Sequence, residues 1–387
     1  MLGVVVLGGM WVKFSSLEVR HDHFWMLAES FWEGKTYFVN LPKRLDDTIS
    51  WRGKYYWPLG QGPAVWLMPW VAGEKAIGWK VHRGYLNLAT GLVALGVGWW
   101  IARRAGYGIS DAGYLAAALV FGSVFLESGF GPLSWRFSHV LTVLFSILAL
   151  AEYMSHRRYW VIGILMSVVL ATRMTAGLGV VFFGLMVWWD RSLGLGQKLG
   201  KLVQFGLPTL LTVVILGGYN YARFGSFVDM GYMRANTLYK WEKENYGLFK
   251  LRNIPTNFYF YFLKTVDPVL EKADTSYYLK WPYVKAGYPG VGFWVVAPVF
   301  LYIFRADVKR LEVKAAAVTA GLIILVLLTY YWVGWDQVGP RYMNDALPWL
   351  YVLLVYAFAK RKLTGPARMV ILASSYFNLW LLVSSGL

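Results

Sequence analysis

The sequence predicts an all-α integral membrane protein of about eleven transmembrane helices, and three observations predict it. First, 57% of the 387 residues are hydrophobic and only 15% are charged, where a soluble domain carries roughly a quarter. Mean hydropathy is +0.44. So little charge cannot solvate a water-exposed surface of this size, and lipid is the solvent for much of it. Second, apolar runs recur along the whole chain. Third, Lys and Arg cluster between those runs, as the positive-inside bias requires. The formal net charge of +17 therefore reads as loops facing anionic headgroups, and not as a nucleic-acid footprint. Cysteine is absent, which excludes a disulfide framework and a Cys-based metal site. The 21 Trp and 26 Tyr suit interfacial belts and sugar-stacking platforms.

In chain order, the apolar segments fall at 2–14, 84–102, 112–128, 137–154, 159–173, 175–189, 203–221, 290–305, 315–334, 345–359 and 367–385. The first lacks the basic flank and small-residue cleavage site of a signal peptide, so it reads as an uncleaved span. Basic clusters lie at Arg103-Arg104, Arg157-Arg158, Arg191 with Lys198 and Lys201, Arg305 to Lys314, and Lys360-Arg361-Lys362 with Arg368. All five fit on the cytoplasmic side of an eleven-span chain, with the N-terminus inside and the C-terminus outside. Residues 60–79 are apolar as well, but crossing there would move Arg103-Arg104 outside. Pro63, Pro69, Glu74 and Lys75 interrupt that run, so it reads as an interfacial or re-entrant helix on the outer side. Everything belongs to one transmembrane domain of residues 1–387, with no separate soluble domain. Two long outer loops, 15–83 and 223–289, concentrate the polar chemistry on the non-cytoplasmic face, and loops of this length are usually functional.

The first loop holds Arg20-His21-Asp22-His23 followed by a helix-compatible run. A carboxylate at the membrane surface serves as general base or cation ligand; the plain alternative is a solvated acid at a helix start, where Asp is favoured. His21, Asp22 and His23 are weak candidates for a metal, and a divalent cation is the one cofactor the sequence leaves open. Further on, Asp46-Asp47 reads as a solvated pair. Lys54-Tyr55-Tyr56-Trp57 reads as an interfacial anchor or a sugar platform. Arg136 and His139 sit in an outer turn entering a span. Arg173 interrupts an apolar run, either facing a polar interior or snorkelling to the interface. Arg341 follows Gly339-Pro340 at headgroup level, where a guanidinium suits a phosphate or pairs with Asp336 or Asp345.

Four stretches together resemble the GT-C glycosyltransferases, the multi-spanning enzymes that include protein O-mannosyltransferases and aminoarabinose transferases. Asp22 through Gly34 resembles the family's first-loop acid and its helix. Lys54-Tyr-Tyr-Trp-Pro-Leu-Gly-Gln-Gly-Pro-Ala through Pro69 resembles its juxtamembrane helix. Asn220-Tyr-Ala-Arg-Phe-Gly-Ser is similar to its Asn-Tyr-x-Arg-Phe-Gly-Ser turn, and Gly339-Pro-Arg-Tyr with Pro348 resembles its last outer motif. The sequence departs from the pattern at Gly60-Gln61, where the family often has Pro-Pro, and in the flanking His21 and His23.

The resemblance implies a polyprenyl-phosphate-linked sugar donor and a first-loop acid as base, a role that falls on Asp22. The acceptor is a glycan, lipid or protein, and no nucleic acid is involved. Arg341, Arg223 and Arg136 are then candidate phosphate clamps, with Lys54, Tyr55 and Tyr56 as candidate donor-lipid contacts. A carboxylate takes the acceptor's proton, cations stabilise the departing phosphate, and the transition state is oxocarbenium-like. The rival readings are a lipid-linked polysaccharide polymerase or ligase, a transporter or flippase, and a non-catalytic scaffold. A transporter would place its ionisable groups near mid-membrane on broken helices and repeats.

Overall fold

A computed structural model describes residues 2–386 apart from 18–21, 43–44, 46, 79, 132–133, 236–243, 246 and 336. His21, Asp46 and Asp336 therefore lie outside the described residues. Helix α1 (Leu2–Ser15) leads into the first loop, which holds α2 (His23–Trp32), a hairpin of β1 (Ile49–Trp51) and β2 (Lys54–Tyr56), and α3 (Gly62–Ile77). The bundle continues with α4 (Arg83–Arg104), α5 (Ile109–Val120), α6 (Phe125–Phe130), α7 (Ser134–Met154), α8 (Tyr159–Thr172), α9 (Met174–Gly177), α10 (Val180–Trp189) and α11 (Leu195–Phe224). The second loop carries α12 (Ile254–Phe258) and a hairpin of β3 (Asp267–Ala273) and β4 (Ser276–Lys285). After it come α13 (Phe293–Val296), a 3-10 helix over Pro298–Arg305, α14 (Leu311–Thr329), α15 (Leu347–Tyr356) and α16 (Gly365–Ser384).

Among the described residues, five helices (α4, α7, α11, α14 and α16) are long and apolar enough to cross a membrane, which makes the chain an integral membrane protein. Every expected span coincides with helix, but the others are shorter or interrupted, so length alone does not give eleven crossings. The two hairpins are a departure from the all-α expectation. Both lie in the long loops, where Tyr, Trp and Ile favour a pleated ribbon.

Several of the interruptions are met in one way. A broken helix inside a membrane leaves carbonyls that lipid cannot satisfy, and asparagine amides supply the missing donors. The expected span 112–128 breaks between α5 and α6, and Asn378 Nδ2 of α16 donates there to the carbonyls of Phe121 (3.1 Å) and Ser123 (3.4 Å). The same amide reaches Val296 O at 2.9 Å, where α13 gives way to the 3-10 helix. Asn87 Nδ2 donates to Ser128, Gly129 and Gly131 at the end of α6, and Asn257 Nδ2 donates to Leu328 and Tyr330 at the end of α14.

α7 is the centre of the bundle and α11 its periphery: the most apolar window of α7 is 78% buried and that of α11 only 6%. Trp11 of α1 stacks on Phe130 at 5.4 Å and donates to Gly129 O at 2.8 Å. It fits because Gly91 of α4 has no side chain; a Cβ there would meet the indole at 2.5 Å.

The basic clusters gather at one end. Arg104 donates to Met154 O (3.2 Å), Arg361 to Val355 O (2.9 Å) and Arg368 to Asp111 Oδ1 (2.9 Å), and Arg158 pairs with Glu152 at 2.8 Å. The opposite end carries the close of α1, α8, α11 and α14, the start of α4, α7 and α15, and the long-loop elements between them. Ser15 O lies 2.0 Å from a Cβ built on Gly84, and Arg223 Nη1 reaches Trp57 O at 3.0 Å. The candidate functional residues all fall at this second end.

Candidate functional site

Asp22 stands at the start of α2, where its backbone carbonyl accepts the Met26 amide (3.0 Å). Its carboxylate is not used as a helix cap. Oδ2 faces Arg83 Nε of α4 at 3.0 Å, and Arg83 lies 3.9 Å over the Trp25 ring and 3.9 Å from Glu74 of α3. The Asp22 side chain remains 30% exposed. It lines a cleft with Phe24, Leu67, Arg83, Asn87, Ser134 and Phe137 whose interior has about 30 Å³ of free space, room for a couple of waters. Burial pushes the Asp22 carboxyl up to about 6, against the opposing pull of Arg83 and with help from Glu29 and Glu74. A carboxylate that titrates near neutrality suits proton transfer.

Arg83 was missed by the sequence reading. As the first residue of an apolar span it looked like a loop boundary. The available signal was a lone cation directly before an apolar run, at the end of the same loop that carries the acid.

The other candidates do not join Asp22. His23 is buried and stacks on Trp57 at 4.1 Å and 7°, its amide donating to Ser134 Oγ at 2.9 Å. Its ring is thus part of the packing under α2. Among the described residues no group of three His, Asp or Glu converges as a metal site would. Lys54 is exposed on β2 with its ammonium 4.3 Å from the Tyr37 ring. Tyr55 is half-buried, and its carbonyl accepts the Phe38 amide (2.9 Å). Tyr56 is buried in a small core with Ile49, Phe224 and Ala235, and burial raises its phenol above the usual range. That core position leaves little of the Tyr56 ring exposed.

The expected phosphate clamps differ in how far they are committed. Arg136 is 4% exposed and pairs with Glu127 at 2.8 Å, while the other Glu127 oxygen accepts the Val338 amide at 2.8 Å. Arg136 therefore ties α7 to α6 and to the last outer loop. Arg223 donates to Trp57 O (3.0 Å) and Asn220 Oδ1 (2.7 Å) and lies 4.1 Å from the Tyr219 ring. No carboxylate pairs with it among the described residues, and its Nε has no partner. Arg341 donates to Trp335 O at 2.6 Å, has a buried Nε without a partner among the described residues, and lies 5.5 Å over Tyr342.

Asp345 does not pair with Arg341. It is fully buried and held by Arg173 through two bonds of 2.6 and 3.1 Å. Thr175 Oγ1 also donates to it. This settles the position of Arg173: it faces the protein interior. Its guanidinium lies 5.2 Å from the other side chain shared with Arg341, the ring of Tyr342. His139 is fully buried beside them, with Nδ1 3.8 Å from Asp345 and neither ring nitrogen hydrogen-bonded. α3 reaches this cluster at its start, because Gly60 and Gly62 let the chain pass against Ala171 and Thr172, and a Cβ at either would fall 2.3 Å from an oxygen. The end thus holds two polar centres: the Asp22–Arg83 cleft, and an inner cluster of Arg173, Asp345, His139, Arg341 and Tyr342. None of the expected clamps lines the Asp22 cleft.

Solved structures of ArnT from Cupriavidus metallidurans are similar to the chain. The apo structure and the one bound to undecaprenyl phosphate each give a TM-score of 0.49 at 16% identity, over 92% of this chain. The chain spans 58% and 59% of the length of those two proteins. No protein-family model matches the chain, and no curated protein matches it.

Proposed function

We propose that this protein is a membrane glycosyltransferase that moves a sugar from a polyprenyl-phosphate donor to an acceptor on the non-cytoplasmic face. The observation that carries the reading is the Asp22–Arg83 pair. It combines a carboxyl poised near neutrality with a guanidinium 3.0 Å away, at the rim of a cleft between juxtamembrane helices and a span. In the reaction, the acceptor hydroxyl gives its proton to Asp22 as its oxygen bonds to the anomeric carbon. The bond from that carbon to the donor phosphate oxygen breaks, and the polyprenyl phosphate leaves with the electron pair. Base catalysis of this kind contributes about 10²–10⁴-fold.

Arg83, which the sequence did not single out, is the cation beside the base. Its freedom to turn from Asp22 to a phosphate is what the neutral, proton-bearing state of Asp22 provides. Arg341 and Arg223, cations with no carboxylate partner among the described residues, are proposed to hold the donor's phosphate. The four motifs that resemble the GT-C enzymes support the same assignment. The test is transfer by purified protein from a panel of polyprenyl-phosphate sugars, wild type against Asp22→Asn. Loss of transfer in a folded variant is the expected result, and wild-type transfer removes Asp22 from the mechanism.

A further inference from the structure

The β3–β4 hairpin is the least buried ordered element of the second loop, and its exposed residues are the wrong ones for water. Leu270, Tyr277, Tyr278, Leu279, Trp281 and Tyr283 are each at least 50% exposed. Leu270 pairs with Leu279 across the ribbon, and Tyr277 lies on the same face as Leu279 by strand alternation. A lone two-stranded hairpin is marginal in water, so this one needs another surface.

The hairpin's attachment shows which way it runs. At its root, the Ala286 amide donates to Ser385 Oγ (3.1 Å), just past the end of α16. Five residues nearer the tip, Trp281 packs edge-on against Trp380 at 4.7 Å, one helical turn inside α16. Moving from root towards tip, the strand therefore descends alongside a helix long and apolar enough to span. The two contacts on α16 are about 7 Å apart along the helix, and between them β4 carries a bulge, since Pro268 pairs with Val284 but Leu270 with Leu279.

We infer that the β3–β4 hairpin is a membrane-surface anchor, laid into the headgroup and upper acyl layer of the leaflet around the end of α16. Tyr and Trp are the residues of that layer. An open ribbon cannot go deeper, because its edge N–H and C=O groups would be unsatisfied in hydrocarbon. The anchor is apolar rather than electrostatic. Asp267, Glu271 and Asp274 balance Lys272, Lys280 and Lys285, and Lys280 is already paired with Glu271 at 2.8 Å. Bilayer lipid of any headgroup charge serves, and the inference holds whether or not the chain transfers sugar.

The chain has no cysteine, so one introduced thiol is a unique label. Leu279→Cys and, separately, Tyr277→Cys carry an environment-sensitive fluorophore in the full protein, reconstituted into phosphatidylcholine vesicles with and without phosphatidylglycerol. Both positions are exposed, so labelling leaves the fold in place, and circular dichroism checks it. The expected result is blue-shifted emission, quenched by lipids spin-labelled near the headgroup, little quenched by aqueous iodide, and the same in both lipid mixtures and at high salt. Water-like emission with strong iodide quenching overturns the inference. So does protection from both quenchers, which would mean that another protein copy covers the hairpin. A response that requires anionic lipid overturns its apolar basis.

Discussion

The pH dependence of sugar transfer is the sharpest consequence of the Asp22 cleft. A carboxyl pushed up to about 6 is ionised in about nine of ten molecules at pH 7 and about one of ten at pH 5. If the ionised form is the base, transfer falls close to tenfold between those values. Two groups set that midpoint in opposite senses: burial raises it and Arg83 lowers it. Replacing Arg83 by Gln removes the lowering influence, so the acidic limb moves to higher pH, by roughly one unit for a partly exposed pair. The rate also falls on the plateau, because the leaving phosphate loses the cation that Asp22 releases on protonation. The assay is initial transfer rate from pH 5 to 8.5 in nanodiscs, for wild type and Arg83→Gln. A flat wild-type profile, or an Arg83→Gln midpoint that stays put or moves down, refutes the reasoning.

Other perturbations separate the two polar centres. Arg173→Met leaves the fully buried Asp345 without its bidentate partner, and breaking such a pair costs about 3–5 kcal/mol. Thermal unfolding in detergent should show the loss, and Arg173→Met with Asp345→Leu together should recover much of it. Arg341→Ala should raise the KM for donor more than the KM for acceptor; equal effects on both indicate a structural role. Gly60→Ala and Gly62→Ala would drive a methyl into Ala171 O or Thr172 Oγ1, so α3 must shift. Both variants should lower the melting temperature, and unchanged melting would show that the approach is looser than the structure gives it.

The helical, membrane-embedded character was legible because lipid leaves so little choice: five of the apolar runs became helices long enough to cross, and the basic clusters gathered at one end. The interruptions were not legible. Whether Gly122-Ser123 breaks a helix depends on Asn378, some 250 positions later, reaching the freed carbonyls. The hairpins were hidden by the loops around them, since Ile49–Trp51 and Ser276–Lys285 lack the polar alternation of a half-buried strand. At the site, Asp22 stood out by its place after the first span. Arg83 did not, because a cation at the start of a span is ordinary. Arg173 and Asp345 were each visible as polar residues in apolar surroundings. Their pairing, which takes Asp345 away from Arg341, follows from the fold bringing α8 against the start of α15.

Turnover of the donor itself tests the central claim most directly. Purified protein in nanodiscs is given polyprenyl-phosphate sugars, and free polyprenyl phosphate is measured over time with water or added glycan as acceptor. The account predicts release with at least one sugar, lost in Asp22→Asn while folding is kept. Release at the same rate from both proteins, or from neither with any donor, contradicts it.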